Sequence, residues 1–183
     1  MVHCSGATEV SVRAPSAALA SLPGCTVSIE AAEPLQSRLR ELTSQLGCRS
    51  TTLPPSAPLR YQASGAYASQ YAVALLAEAA KLWASFGVSE EDAIKALLPL
   101  LRGTAAAIGK AGLVQGMPGP LSRGDVDTVH RHLDSLDAFD PAVAALYRQF
   151  ALRTVTLADK KGVLTTEQQT RLQAWHGEGN KQR

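Results

Sequence analysis

Charge is missing from a stretch of this sequence where a solvent-facing helix would need it. Between Arg60 and Glu78 runs YQASGAYASQYAVALLA, without a single Asp, Glu, Lys or Arg. Aromatic residues are also scarce, at 5 % of the 183 residues, so the core has to be built from Ala, Leu and Val. Cysteine is limited to Cys4, Cys25 and Cys48, an odd number without CxxC spacing. That pattern favours a reducing compartment and argues against a zinc site, and no metal is expected. The first residues, MVHCSGATEV, have neither a basic start nor an apolar centre, so no signal peptide is expected and the reading is cytoplasmic. The uncharged run falls short of the roughly 20 apolar residues that span a membrane, and it includes Gln62, Ser64, Ser69 and Gln70. No membrane partner is expected. Nor is nucleic acid, because the formal net charge is only +2 and Lys and Arg are scattered.

Motifs that would name a reaction are absent too. The sequence has no GxGxxG, no GxxxxGK[ST] and no GxSxG. It therefore shows neither the phosphate-cradling glycine loops nor the nucleophile elbow that carry much nucleotide and acyl chemistry. The glycines of Gly109–Gly124 are spaced GxxGxxxGxxG with no strand in front, and they read as a connection between helices.

What is present is an ordinary globular composition, 45 % hydrophobic and 19 % charged, in a length that suits one domain or one domain plus a fragment. Residues 1–55 follow α/β grammar. Val2–Ser5 is a short strand, 8–24 an irregular stretch, and Cys25–Glu30 an alternating strand. Pro34–Leu46 is a helix with Leu35, Leu39, Leu42 and Leu46 on one face and Gly47 at its end, and Cys48–Leu53 is a third strand. From residue 56 to 178 every segment reads as helix, with a frayed tail at 179–183.

The uncharged stretch, extended to Tyr61–Gly87, reads as one long helix buried all round, with Gly87 at its end. Ser89 opens the next helix, on which Ile94, Leu97, Leu98, Leu101 and Ile108 form an apolar stripe and Pro99 a kink. A helix over Val126–Leu136 follows, then one that starts at Asp140-Pro141 and stops at Gly162. Thr165 with Gln168 forms a capping box before the last helix, Glu167–Trp175. The fold class is therefore α+β: a small α/β segment followed by an all-helical domain.

Few residues invite a chemical role. His130 and His132 are two apart on a helix and point to nearly opposite faces, so both read as solvated surface histidines rather than as metal ligands. The acids Glu90, Glu91 and Asp92, and Asp125 beside Asp127, fall at helix starts, where negative charge is favoured by the dipole.

Three segments taken together resemble a known family: Val2-His3-Cys4-Ser5-Gly6-Ala7, the helical YQASGAYASQYAVALLAEAAKLWASFGVSEEDAIKALLPLLRGTAAAI, and Gly119-Pro120-Leu121-Ser122-Arg123-Gly124-Asp125 with Thr128-Val129 and His132-Leu133. They are similar to Rossmann-like proteins with a C-terminal DUF2520 domain, distant relatives of pyrroline-5-carboxylate reductase and of F420-dependent NADP oxidoreductases. The resemblance implies a partial Rossmann-like unit over 1–55. It implies a helical domain like the C-terminal domain of 6-phosphogluconate dehydrogenase over 56–178.

In that frame the protein is an NAD(P)-dependent oxidoreductase or its C-terminal part. NADP is the implied cofactor, a small molecule the substrate, and a homodimer through the 61–87 helix the assembly. His3, Ser5 and Gly6 would lie on the cofactor, and Ser64, Ser69, Gln70 and Arg123 along the substrate cleft; no catalytic residue is implied. The family's first βαβ unit, with its glycine loop, would precede Met1, and the chain offers no glycine turn to seat a pyrophosphate. The alternative is a non-catalytic dimerisation or interaction module.

Overall fold

The computed structural model describes residues 2–5 and 22–178. Gly6, the irregular stretch expected from residue 8 up to 21 and the tail at 179–183 lie outside the described residues. The architecture is α+β, and the chain divides into two units, residues 1–77 and 78–183.

The first unit is organised on a three-stranded sheet of order β1-β2-β3, with β1 at Val2–Ser5, β2 at Thr26–Ile29 and β3 at Arg49–Thr51. Cys25, Val27 and Ile29 are buried at alternate positions, as the period of a strand requires, and Ser28 is buried on the other face. Helix α1 (Leu35–Gln45) links β2 to β3, which run parallel with Thr26 opposite Arg49. Strand β1 is antiparallel to β2 and pairs Val2 with Ile29 and Ser5 with Thr26. A Rossmann-like sheet would be parallel throughout. Here the end of β1 instead sits beside the first residue of β2, at the edge of the sheet opposite the carboxyl ends of β2 and β3.

The leucines of α1 form the expected stripe, yet Leu35, Leu42 and Leu46 are exposed and the helix buries Thr43 instead. Thr43 is accommodated because its hydroxyl donates to the Leu39 carbonyl at 2.7 Å.

The uncharged stretch does not form one helix. Helix α2 (Pro58–Ala68) ends at Ser69, whose φ of −120° and ψ of −87° are not helical, and α3 (Gln70–Ala84) starts afresh. The local chemistry explains the break. Gly65 is a weak helix former, while Ser64 and Ser69 donate their hydroxyls back to the carbonyls of Tyr61 and Gly65 at 2.6 and 2.7 Å. Nor is the stretch buried. Within α2 and α3 only Ala80 is buried, while Tyr67 is 74 % and Val73 67 % exposed, and Tyr71 and Leu75 are exposed as well. Tyr61 anchors α2 on the sheet, its hydroxyl donating to the Thr26 carbonyl at 3.0 Å.

The second unit is helical. Ser89 caps α4 (Glu90–Gly116) by accepting the Asp92 amide at 3.2 Å. Pro99 lies inside this helix without breaking its dihedrals; the break falls at Gly112, with φ 76° and ψ 173°. The expected 109–124 connection is therefore helical in its first part. After the break the chain folds back so closely that a Cβ on Gly116 would stand 2.7 Å from the Ala107 carbonyl oxygen.

By length and composition alone α4 could cross a membrane, with a mean hydropathy of 1.3 over its most apolar window. None of that window is buried in this structure.

A 3₁₀ turn at Pro120–Arg123 leads to α5 (Val126–Phe139), α6 (Pro141–Lys161) and α7 (Thr166–Glu178). The core joins Val126, Val129 and Leu133 of α5, one helical face, to Leu172 and Trp175 of α7. Helix α6 contributes Ala144, Ala151 and Ala158, seven residues apart and each nearly or wholly buried. Such a row of methyl groups lets neighbouring backbones approach closely. Asp140 caps α6 through the Ala142 amide at 2.8 Å, and Gly162 ends it in the left-handed conformation. The expected capping box before α7 is present, with Thr165 and Gln168 exchanging backbone-to-side-chain bonds of 2.8 and 3.2 Å.

Candidate functional site

The residues proposed from sequence fall in both units. Ser64, Ser69 and Gln70 lie at the junction of α2 and α3, all exposed, and the two serine hydroxyls are turned onto their own helix. Arg123 belongs to the other unit, exposed at the end of the 3₁₀ turn. His3 pairs with Ser28 and Ser5 with Thr26 on the antiparallel strand β1. Ligands of open α/β sheets bind beyond the carboxyl ends of parallel strands. The end of β1 lies at the other end of the sheet, beside the first residue of β2.

The segment Gly116–Asp125 is the most tightly determined part of the second unit. Gly119 (φ 92°) and Gly124 (φ 72°) stand at the two ends of the 3₁₀ turn in left-handed territory. Ser122 is buried and donates its hydroxyl to the Gly119 carbonyl at 2.7 Å. The Gly124 carbonyl accepts from Gln168 Nε2 at 2.6 Å, which ties the corner to α7. Asp125 then caps α5, taking the Thr128 amide at 3.0 Å and the Thr128 hydroxyl at 2.7 Å. These two bonds hold its carboxyl below the usual carboxylate range, with smaller help from Arg131 and Arg123. Arg171 pairs with Asp127 at 2.8 Å and adds a second link between α5 and α7.

Against this corner the facing side of α6 leaves a groove of about 190 Å³. Met117, Pro118 and Pro120 form one wall, Tyr147 and Phe150 the other, and Val129 lies between them. None of its ten lining residues carries a charge. Its polar side-chain groups are two hydroxyls. That of Thr154 is consumed by the Ala151 carbonyl at 2.8 Å. That of Tyr147 lies 2.9 Å from Nδ1 of His132, with the rings edge-on. Tyr147 is half-buried, and burial raises the pKa of its phenol, so it stays neutral. A second, shallower groove runs along α4 over Pro99, Leu100, Gly103 and Ala107.

The structure bears out the surface position of His132 and corrects the reading of His130. His132 is exposed but bonded to Tyr147. His130 is only partly exposed, its ring 4.8 Å from that of the buried Trp175 and its Nε2 buried without a hydrogen-bond partner. Tyr147 carried no signal as a single residue. Its helical partners did, since Tyr147, Phe150, Ala151 and Thr154 fall at i, i+3, i+4 and i+7, one face of α6.

No curated protein and no solved structure matches the chain. The model of one protein family does, that of a domain of unknown function, DUF2520, over residues 25–154. That span holds β2, β3 and every residue lining the groove. With most of its length matched, this chain belongs to the DUF2520 family.

Proposed function

We propose that the chain acts as an association module and forms a homodimer through the helices of residues 61–87. The observation that carries this reading is the exposed, uncharged surface of residues 61–77 on α2 and α3. Tyr67, Tyr71, Val73 and Leu75 are exposed there, and no charged residue interrupts 61–77. Patches of this kind mark interaction sites rather than ordinary solvent-facing surface. A second copy is the occupant favoured, because the patch has no charge with which to select a foreign partner. An isologous contact uses the same patch twice. The patch needs to bury roughly 800 Å² per copy to hold a stable dimer.

Sedimentation velocity at about 10 µM should give a dimer, for an affinity in the micromolar range or tighter. Ala72→Glu should shift it to monomer, because the dimer would bury an unpaired carboxylate. A monomeric wild-type chain overturns the proposal, and so does a chain that floats with neutral lipid vesicles instead of dimerising.

A second reading is an NAD(P)-dependent oxidoreductase, or part of one. The parallel β2–α1–β3 crossover favours it, being the kind of unit from which dinucleotide-binding sheets are built. Calorimetric titration with NADPH tests it directly. Binding tighter than about 1 mM supports a cofactor-dependent protein, and weaker binding leaves the chain as an association module alone.

A further inference from the structure

We propose that the groove between the Met117–Leu121 corner and α6 binds a small, neutral, largely apolar molecule with one hydrogen-bond acceptor, such as a ring bearing a carbonyl, held by the Tyr147 hydroxyl. This goes beyond the association reading and does not depend on it.

The size of the groove sets the first limit. At about 190 Å³ it exceeds an engineered apolar cavity of about 150 Å³ that takes up benzene. It is much smaller than a dinucleotide or a peptide helix would need.

The second limit is charge. A lining of Met, Pro, Leu, Val, Phe, Ala and two hydroxyls offers no ion to pair with, so a carboxylate or ammonium would be desolvated without compensation.

The third is polarity. Tyr147 is held by His132, whose Nδ1 can donate to or accept from its oxygen. In the tautomer in which Nδ1–H donates, the phenolic proton is free for a ligand acceptor.

The walls are preformed, as ligand sites usually are. Pro118 and Pro120 fix φ on one side, Ser122 pins the Gly119 carbonyl, and Gly116 locks the corner onto the backbone of α4 at Ala107.

The test uses the intact ¹⁵N-labelled chain and three probes of matched size: acetophenone (neutral, with an acceptor), ethylbenzene (neutral, without one) and benzoate (anionic). Acetophenone should move the amide signals of residues 117–121 and 147–154 saturably within about 10 mM, ethylbenzene more weakly, and benzoate not at all. Tyr147→Phe removes only an oxygen atom and should keep the fold, which the remaining amide spectrum reports. It should weaken acetophenone about five- to tenfold, the loss of one hydrogen bond, and leave ethylbenzene unchanged. Benzoate binding as well as acetophenone, equal weakening of both neutral probes by Tyr147→Phe, or no shift in these segments with any probe would each overturn the assignment.

Discussion

Gly124→Ala is the sharpest test of the corner at residues 119–125. Two effects act together. Gly124 sits at φ 72°, where an L side chain meets its own carbonyl at a cost of about 1–2 kcal/mol. In addition, the new methyl would stand 2.4 Å from the backbone oxygen of Val163, although real Cβ contacts essentially never fall under 3.0 Å. Backbone on both sides leaves no flexible side chain to yield, so the corner has to move away from the α6–α7 link by roughly 0.6 Å. That movement stretches the 2.6 Å bond from Gln168 to the Gly124 carbonyl, worth about 0.5–1.5 kcal/mol net. The combined destabilisation is roughly 2–4 kcal/mol, or about 5–12 °C in the melting temperature of a chain this long.

Gly162→Ala is the matched control, with the same left-handed conformation (φ 73°, ψ 26°) but nothing within 4 Å of the added methyl. It should show the conformational part alone, about 1–2 kcal/mol. Thermal and urea unfolding followed by far-ultraviolet circular dichroism distinguish the two. If Gly124→Ala melts within about 2 °C of Gly162→Ala, the close approach to Val163 is not a constraint and the account of this corner fails.

Other outcomes follow from the same structure. The Asp125 carboxyl is held low by Thr128, so its contribution to stability is complete above the unfolded value of about 3.9 and fades as pH drops through its lower folded value. The urea midpoint should therefore fall on acidification from pH 5 toward pH 2, and less steeply in Thr128→Val, which keeps the amide bond but loses the hydroxyl; equal slopes would show that the hydroxyl does not hold the proton off. Asp140→Ala should cost about 0.5–2 kcal/mol by removing the cap of α6, measurable by urea unfolding, and an unchanged midpoint would mean the cap is made good by water. Ala72→Glu should turn a dimer into a monomer, and Tyr147→Phe should weaken a neutral carbonyl probe five- to tenfold.

Elements whose ends are marked by local chemistry were legible in the sequence. Asp140-Pro141, Gly162, the Thr165–Gln168 box and the Ser89 cap all act within one helical turn, so their residues specify the boundary wherever the helix sits. The alternation from Cys25 to Ile29 was legible for the same reason, since a two-residue period needs no distant partner to be recognised. Errors arose where the outcome depended on something further away or on two opposed local preferences. At Ser69 the alanine-rich surroundings favour helix, while Gly65 and two serines that bond their own backbone favour a break, and the break prevails. At Gly109–Gly124 the composition suggested a loop, yet the glycines up to position 109 are carried inside a helix rich in Ala, Leu and Ile.

The absence of charge from residues 61–77 has a different meaning from the one composition suggests. Lack of charge says that a surface is not designed for water, but it does not say what covers it. Among the described residues of the first unit none buries Tyr67, Tyr71 or Val73, so the same seventeen residues that read as a core helix become an open patch on that unit. The groove shows the converse. Its lining comes from a loop, from α5 and from α6, and each piece read alone is unremarkable: a glycine-rich turn, one valine of a helix, an amphipathic helix. Only the packing of α6 against the corner brings an uncharged hollow and a neutral, bonded phenol together. A sequence reading that scores residues singly passes over Tyr147, because its environment is set by neighbours up to thirty positions away. Function in this chain therefore has to be sought in two kinds of surface, one exposed by what is missing from the sequence and one formed only by the fold.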